Sequence, residues 1–291
     1  MANTNDYVQA GKLYICGTPI GNLDDITYRA LQVLQGVDII AAEDTRRTIK
    51  LLNYFEINNK LESYHEHNET EKAGKLLKLL KSGKSIALVS DAGMPGISDP
   101  GLIIVKMAIE DDIEVIPIPG PTAAINALVV SGMDTSKFVF EGFLIRKGKE
   151  REEQLEELKA EKRTIIIYES PYRLKDTLKD LEGMMGNRKI AVIRELSKLH
   201  EEKIYGNADS ILSKIDDREI KGEIVIVIEG NQNINVEKEG WEDLKLLEHV
   251  KLFVDQGMSK KKAIKKVAEI RGLPKRDVYK EAIAIDVEIK N

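Results

Sequence analysis

Two aspartates, three glycines and two prolines fall within twelve residues in the stretch SDAGMPGISDPG (90–101), directly after the apolar run at 86–89. Glycine lets backbone N–H and C=O groups approach a bound molecule closely, and proline fixes the loop in advance. Ordering entropy is then lost in folding and not in binding. Ionised Asp91 and Asp99 only accept hydrogen bonds, so they suit a ligand carrying an amine, a hydroxyl or a positive charge and disfavour a phosphate. Three more segments of this kind follow apolar runs: Thr18-Pro19-Ile20-Gly21-Asn22-Leu23, Glu43-Asp44-Thr45-Arg46-Arg47 and Pro119-Gly120-Pro121-Thr122-Ala123. Neither a Gly-Lys-Ser/Thr phosphate loop in the required frame nor Gly-x-Gly-x-x-Gly after a strand is present, which argues against a nucleoside triphosphate or a dinucleotide.

Other reactive side chains form weaker patterns. Cys16, the single cysteine, sits among apolar residues and is expected to be a small buried hydrophobe. His65-Glu66-His67 has the alternate spacing that puts two imidazoles on one strand face, but no third metal ligand accompanies it, so a polar loop near a nucleic-acid path is expected and no metal. His200 and His249 are isolated, and no Ser-His-Asp or Cys-His set can be assembled.

The elements that carry these loops alternate between strand and helix. Strands are predicted at 12–16, 37–43, 85–90 and 114–118, and helices at 25–35 with Asp25 as N-cap, 45–55, 69–81, 102–111 and 122–130. Ala73, Leu76, Leu77 and Leu80 give the third of these helices one apolar face. Uninterrupted apolar strands in such alternation imply a mostly parallel sheet covered on both faces, whose ligands bind beyond the carboxyl ends of the strands. All four loops lie at that end. From 134 onward a second α/β domain with a mixed sheet is predicted: strands at 138–143, 164–170, 189–196, 200–206 and 222–230, a solvated charged helix at 147–163 and another helix at 172–181. The expected domains are 1–133, 134–236 and a helical 237–291.

The net charge of −5 over 291 residues excludes a generally basic nucleic-acid coat, so RNA contact requires local patches. The middle C-terminal helix, with Lys260, Lys261, Lys262, Lys265 and Lys266, is the first place to look for one, and Arg146, Lys147 and Lys149 are a second. A solvated basic face on an appended bundle is the competing reading. One thiol, a polar N-terminus and no apolar run of about 20 residues imply a soluble cytoplasmic protein.

The segments LYICGTPIGNLDDITYRALQVLQGVDIIAAEDTRRTIKLL, SDAGMPGISDPG, PIPGPTAAINAL, FEGFL, YESPYRL, IRELSKLHEE and GEIVIVIEG run in this order across nearly the whole chain. They resemble the ribosomal RNA small-subunit methyltransferase I family of the tetrapyrrole-methylase (class III) superfamily. Cys16-Gly17 and Met94 depart from its usual pattern, and at Met94 any contact would come from backbone. The resemblance implies two α/β domains with S-adenosylmethionine (AdoMet) in the cleft between them, a small C-terminal helical domain and a homodimer. It also implies 2′-O-methylation of a cytidine ribose in the decoding region of 16S rRNA in the small ribosomal subunit. Carried over by position, the cofactor would contact Pro19, Ser90, Asp91, Ala92, Gly93, Pro95, Ser98, Asp99, Thr122 and Ala123, with Tyr168, Gly222, Glu223 and Ile224 from the second domain. Glu43, Asp44, Glu169 and Glu195 are candidates for the catalytic base, and Arg46, Arg173, Arg194, Lys261 and Lys265 for RNA contacts. The alternatives are a methylase of a tetrapyrrole macrocycle and an RNA- or ribosome-binding protein without turnover.

Overall fold

The computed structural model describes residues 7–232, 244–255 and 258–282, which fall into two compact units divided after Asn231. The expected boundary at 236/237 lies outside the described residues.

The first sheet of unit one contains β1 (Leu13–Cys16), β2 (Ile39–Ala42), β3 (Leu61–Ser63), β4 (Ile86–Val89) and β5 (Val115–Ile118) in the order β3-β2-β4-β1-β5, every pair parallel. β1, β2 and β4 are buried along their whole length, which is why they read as continuous apolar runs. On one face α3 (Glu69–Lys81) and α4 (Leu102–Glu110) pack against Leu13, Ile39 and Leu88. On the other, α1 (Tyr28–Gly36) packs against Tyr14, Ile40 and Val89, and α2 (Thr45–Tyr54) adds Leu52. α1 starts later than predicted: Leu23–Asp25 form a 3-10 turn, and Thr27, not Asp25, is the N-cap, its Oγ1 accepting from the Ala30 N–H at 3.1 Å.

α5 (Ala123–Ser131) leaves the first sheet and packs on the second. That sheet contains β6 (Phe138–Phe143), β7 (Thr164–Glu169), β8 (Ile190–Arg194), β9 (Glu202–Gly206) and β10 (Ile224–Ile228) in the order β6-β7-β10-β8-β9, parallel between β6 and β7 and antiparallel elsewhere. Its far face is covered by α6 (Lys149–Ala160), α7 (Leu174–Met185) and α8 (Ala208–Ile215) around Ile165, Ile167, Ile226 and Leu178. α6 is not uniformly solvated. Arg151 is buried, its guanidinium bonded to Asp180, Thr177 Oγ1 and the Ile145 carbonyl.

β6 contains a bulge. Phe140 pairs with Ile166 and Gly142 with Ile167, leaving Glu141 without a partner position on β7. Strand residues alternate between faces, so one inserted residue reverses the parity of all that follow. Phe143 is thereby brought opposite Tyr168, on the face covered by α5, instead of the far face.

Unit two holds α9 (Leu246–Asp255), α10 (Lys260–Arg271) and α11 (Lys275–Ala282) around Val250, Ile264, Val267 and Val278. Backbone bonds from the Lys262 and Ala263 N–H groups to the Ser259 carbonyl open α10, and Gly272 at φ 62° closes it. Lys261 and Lys265 are exposed on α10. No helix among the described residues is long and apolar enough to cross a membrane.

Candidate active site

The floor of the site is backbone from three loops at the carboxyl end of the first sheet. Thr18 and Gly93 exchange N–H···O=C bonds of 2.9 and 3.0 Å, joining the loops after β1 and β4. The loop after β5 approaches so closely that a Cβ built on Gly120 would lie 2.7 Å from Gly17 Cα. That approach explains why Gly17 stands in the motif. The Ser90 hydroxyl, buried, donates to the Ala92 and Gly93 carbonyls at 3.4 Å and holds the turn. Ser98 adopts φ 60°, a strained value for a residue with a Cβ, at the point where the loop presents Asp99.

Above this floor lies a cavity of about 410 Å³, within the range of small-molecule sites. Asp91, Ala92, Gly93, Ser98, Asp99, Thr122 and Ala123 line it from the first sheet's loops, and Tyr168, Gly222, Glu223 and Ile224 from the second sheet. Pro19, Ser90 and Pro95 do not line it; Pro19 adjoins Thr18 and Pro95 is buried behind the loop surface. Tyr168 Oη accepts from the Ala124 N–H at 3.3 Å, so the second sheet holds the start of α5. The turn at Gly222 is fixed from outside: Glu195 Oε1 accepts from the Glu223 N–H at 2.9 Å and from Lys198 Nζ at 2.8 Å. A Cβ on Gly222 would overlap that carboxylate at 2.2 Å.

The four candidate bases separate clearly. Glu43 lines the cavity and accepts from the Asp91 N–H at 3.2 Å. Burial raises its pKa, with the Asp91 N–H bond opposing and the Asp91 charge adding. Glu169 also lines the cavity, yet it is fully buried and occupied, accepting from Thr177 Oγ1 at 2.6 Å, the Ser170 N–H at 2.7 Å and Arg173 at 2.7 Å. Asp44 lies outside the cavity as the N-cap of α2, bound by the Arg46 guanidinium, which holds its carboxyl well below the usual range. Glu195 is also outside. Burial pulls its pKa up, but Lys198 and the Glu223 N–H outweigh that and leave it lowered.

Asp99 differs from all four. Its carboxyl is pushed up to about 6 by burial and by the Glu43 carboxylate, with Asp91 and Glu223 adding and the Ser90 hydroxyl opposing. Five carboxylates, Glu43, Asp91, Asp99, Glu169 and Glu223, line one cavity; Arg173 pairs with Glu169 and Lys198 with Glu223 from outside it, and Arg47, 3.3 Å from Asp91, is the one lining cation among the described residues. A cationic ligand relieves this imbalance and an anion worsens it. A sulfonium with an α-amino group fits that donor set.

The basic candidates are disposed differently. Arg46 is exposed beside Asp44, and Arg194 bonds Glu202 and the Lys221 carbonyl. Arg173 bonds Glu169 and the Leu144 carbonyl. Arg47, not singled out in the sequence, is the arginine at the cavity. His65 and His67 have ring centroids 6.0 Å apart, and no cluster of three metal-ligating side chains occurs among the described residues. Burial pushes the Cys16 thiol well above its usual pKa, leaving it a packing residue.

The profile of tetrapyrrole (corrin/porphyrin) methylases matches residues 12–212. Ribosomal RNA small subunit methyltransferase I of Halalkalibacterium halodurans is 50% identical over 270 residues, covering 92% of this chain and 93% of that protein. The protein of the same name from Bacillus subtilis is 48% identical over 271 residues, covering 92% and 93%. Among solved structures, uroporphyrin-III C-methyltransferase from Thermus thermophilus complexed with S-adenosylhomocysteine has the same fold, with TM-score 0.55, 13% identity and coverage of 75% of this chain and 97% of that one. The cleft between two α/β sheets, its loop motifs and these likenesses agree: the chain belongs to the tetrapyrrole (corrin/porphyrin) methylase family and, within it, to the ribosomal RNA small subunit methyltransferases I.

Proposed function

We propose that the protein transfers a methyl group from AdoMet to the ribose 2′-hydroxyl of a cytidine in the decoding region of 16S rRNA, acting in the cytoplasm as a homodimer on the small ribosomal subunit. The observation that carries the reading is the carboxylate-rich, phosphate-averse cavity in a chain half identical to a named rRNA methyltransferase. That level of identity over nearly the full length favours RNA over a tetrapyrrole macrocycle.

When bound, AdoMet supplies an electrophilic methyl group on a sulfonium. The backbone of Ala92–Gly93 and Thr122–Ala123, with the Gly222–Ile224 turn opposite, would hold the cofactor. Asp99 and Asp91 would face its positive charge. Glu43 is the candidate base best placed to accept the ribose proton, because it lines the cavity and no cation is bound to it. Glu169 acts through Arg173 and Thr177 as a positioning residue for the start of α7, and Glu195 through the Gly222 turn. Alignment and exclusion of water supply much of the acceleration in a displacement of this kind. Arg47 at the cavity and the lysines of α10 would meet RNA phosphates.

Methyl incorporation into 30S particles, mapped by resistance to alkaline cleavage, tests the proposal. One protected cytidine is expected. Incorporation elsewhere, or on a base, would refute the ribose assignment.

A further inference from the structure

The inserted residue in β6 has a chemical result. Without the Glu141 bulge, Phe143 would point to the far face, where Leu144 packs among α6, α7 and α8. With it, Phe143 lines the cavity while remaining 54% exposed. Bulges of this type re-aim side chains beside functional sites. Tyr168 meets the ring at 5.7 Å and 63°, and Phe140 meets Tyr168 at 4.8 Å and 72°. Such edge-to-face contacts fix its orientation, and the side chain's exposure leaves ring surface open.

A second exposed apolar side chain lines the cavity near it. Ile97 lines the same cavity and is 51% exposed. Its neighbour Ser98 lies against the bulge, with Oγ 3.2 Å from where a Cβ on Gly142 would stand. Gly142, at φ 64°, is needed for both the turn and this approach. Two half-exposed apolar side chains therefore line the cavity together with its carboxylates and the Arg47 guanidinium, which is 65% exposed. An exposed aromatic ring, an aliphatic side chain and a cation at one cavity match the needs of an unstacked nucleotide.

The geometry points to Phe143 as a nucleobase-stacking residue that positions the target nucleotide's base at the cleft, with Ile97 as a second apolar contact. This rests on the RNA-methyltransferase reading. Stacking holds the base outside the cavity and lets the ribose alone enter, so the site needs no polar pocket for the base.

The test compares Phe143→Ala, Phe143→Leu and Phe143→Trp in three measurements: methyl-transfer kinetics on 30S particles, particle affinity by filter binding, and AdoMet affinity by calorimetry. The Ala and Leu variants are expected to raise KM for particles about tenfold with little change in kcat or AdoMet affinity, and Trp to restore it to within about threefold. KM unchanged within about twofold in both Ala and Leu variants overturns the proposal. So does a matching loss of AdoMet affinity, which would make Phe143 a cofactor contact. A Leu variant that behaves as wild type also overturns it, since packing alone would then suffice. Wild-type protein that binds AdoMet and particles without transfer refutes the methyl-transfer reading instead, and the filter-binding comparison still decides the stack.

Discussion

Replacing Asp99 by asparagine should stabilise the free protein while weakening its hold on a cationic cofactor. The carboxyl is pushed from 3.8 up to about 6, first by burial and then by Glu43. A carboxylate whose pKa is higher in the folded chain than in the unfolded one favours folding fully only below the unfolded value, and that contribution is lost as pH rises through about 6. The gap between 3.8 and about 6, at roughly 1.4 kcal/mol per pH unit, is ~3 kcal/mol. Because Asp99 is only half-buried, solvent screening reduces this to about 1–2 kcal/mol. Urea unfolding at a series of pH values should therefore show Asp99→Asn gaining ~1–2 kcal/mol on wild type between pH 4 and pH 8. AdoMet binding should show the reverse sign. A cation favours the ionised carboxylate, so wild-type affinity should fall as pH drops through about 6, while the variant binds more weakly at pH 8 with a flatter profile. Parallel stability curves, or parallel affinity profiles, would refute the assignment of Asp99 as the charge facing the cofactor.

Gly120→Ala forces a Cβ to within 2.7 Å of Gly17 Cα and should move the cavity floor, lowering AdoMet affinity at least tenfold by calorimetry while costing about 1–3 kcal/mol in stability. Glu169→Ala leaves Arg173 with the Leu144 carbonyl alone and Thr177 without its acceptor; thermal unfolding should show a loss of about 2–3 kcal/mol, less than for a fully buried pair because Arg173 is partly exposed. Glu43→Gln should lower kcat at least a hundredfold with AdoMet affinity within about threefold, read from single-turnover transfer into 30S particles. Deleting residues 232–291 should leave AdoMet affinity within about twofold but weaken particle binding and flatten its salt dependence, since the lysines of α10 go with them.

The parallel sheet was legible because β1, β2 and β4 are buried on both faces and so lack polar positions. β3 was not: Leu61-Glu62-Ser63 is three residues at a half-buried edge, too short for any period to show. α8 carries its own signal in the sequence: Asn207 heads it with a capping box, and Ile211 and Ile215 share a face. Site residues on loops were legible where glycine and proline mark the backbone. Choosing among carboxylates was not, because it depends on which cation each one meets in space: Glu169 finds Arg173 and Asp44 finds Arg46, while Glu43 finds a backbone N–H. Arg46 and Arg47 are indistinguishable in sequence, yet one closes on its own helix cap and the other reaches Asp91. Phe143 was hidden by the bulge, since simple alternation places it on the wrong face.

The order of strands in the second sheet bears on how the protein is made. β10 is the last strand of its sheet to be synthesised, yet it lies at the centre, between β7 and β8. Until Ile228 has left the ribosome, β7 and β8 each present an unpaired inner edge, and α5 and α7 cover a sheet with its middle missing. Open apolar edges of that kind recruit other chains. A nascent chain stalled anywhere between residues 206 and 224 therefore holds a complete first sheet beside a half-sheet prone to aggregate, and the cleft cannot form in it, because the Gly222–Ile224 wall arrives on the same strand that closes the gap.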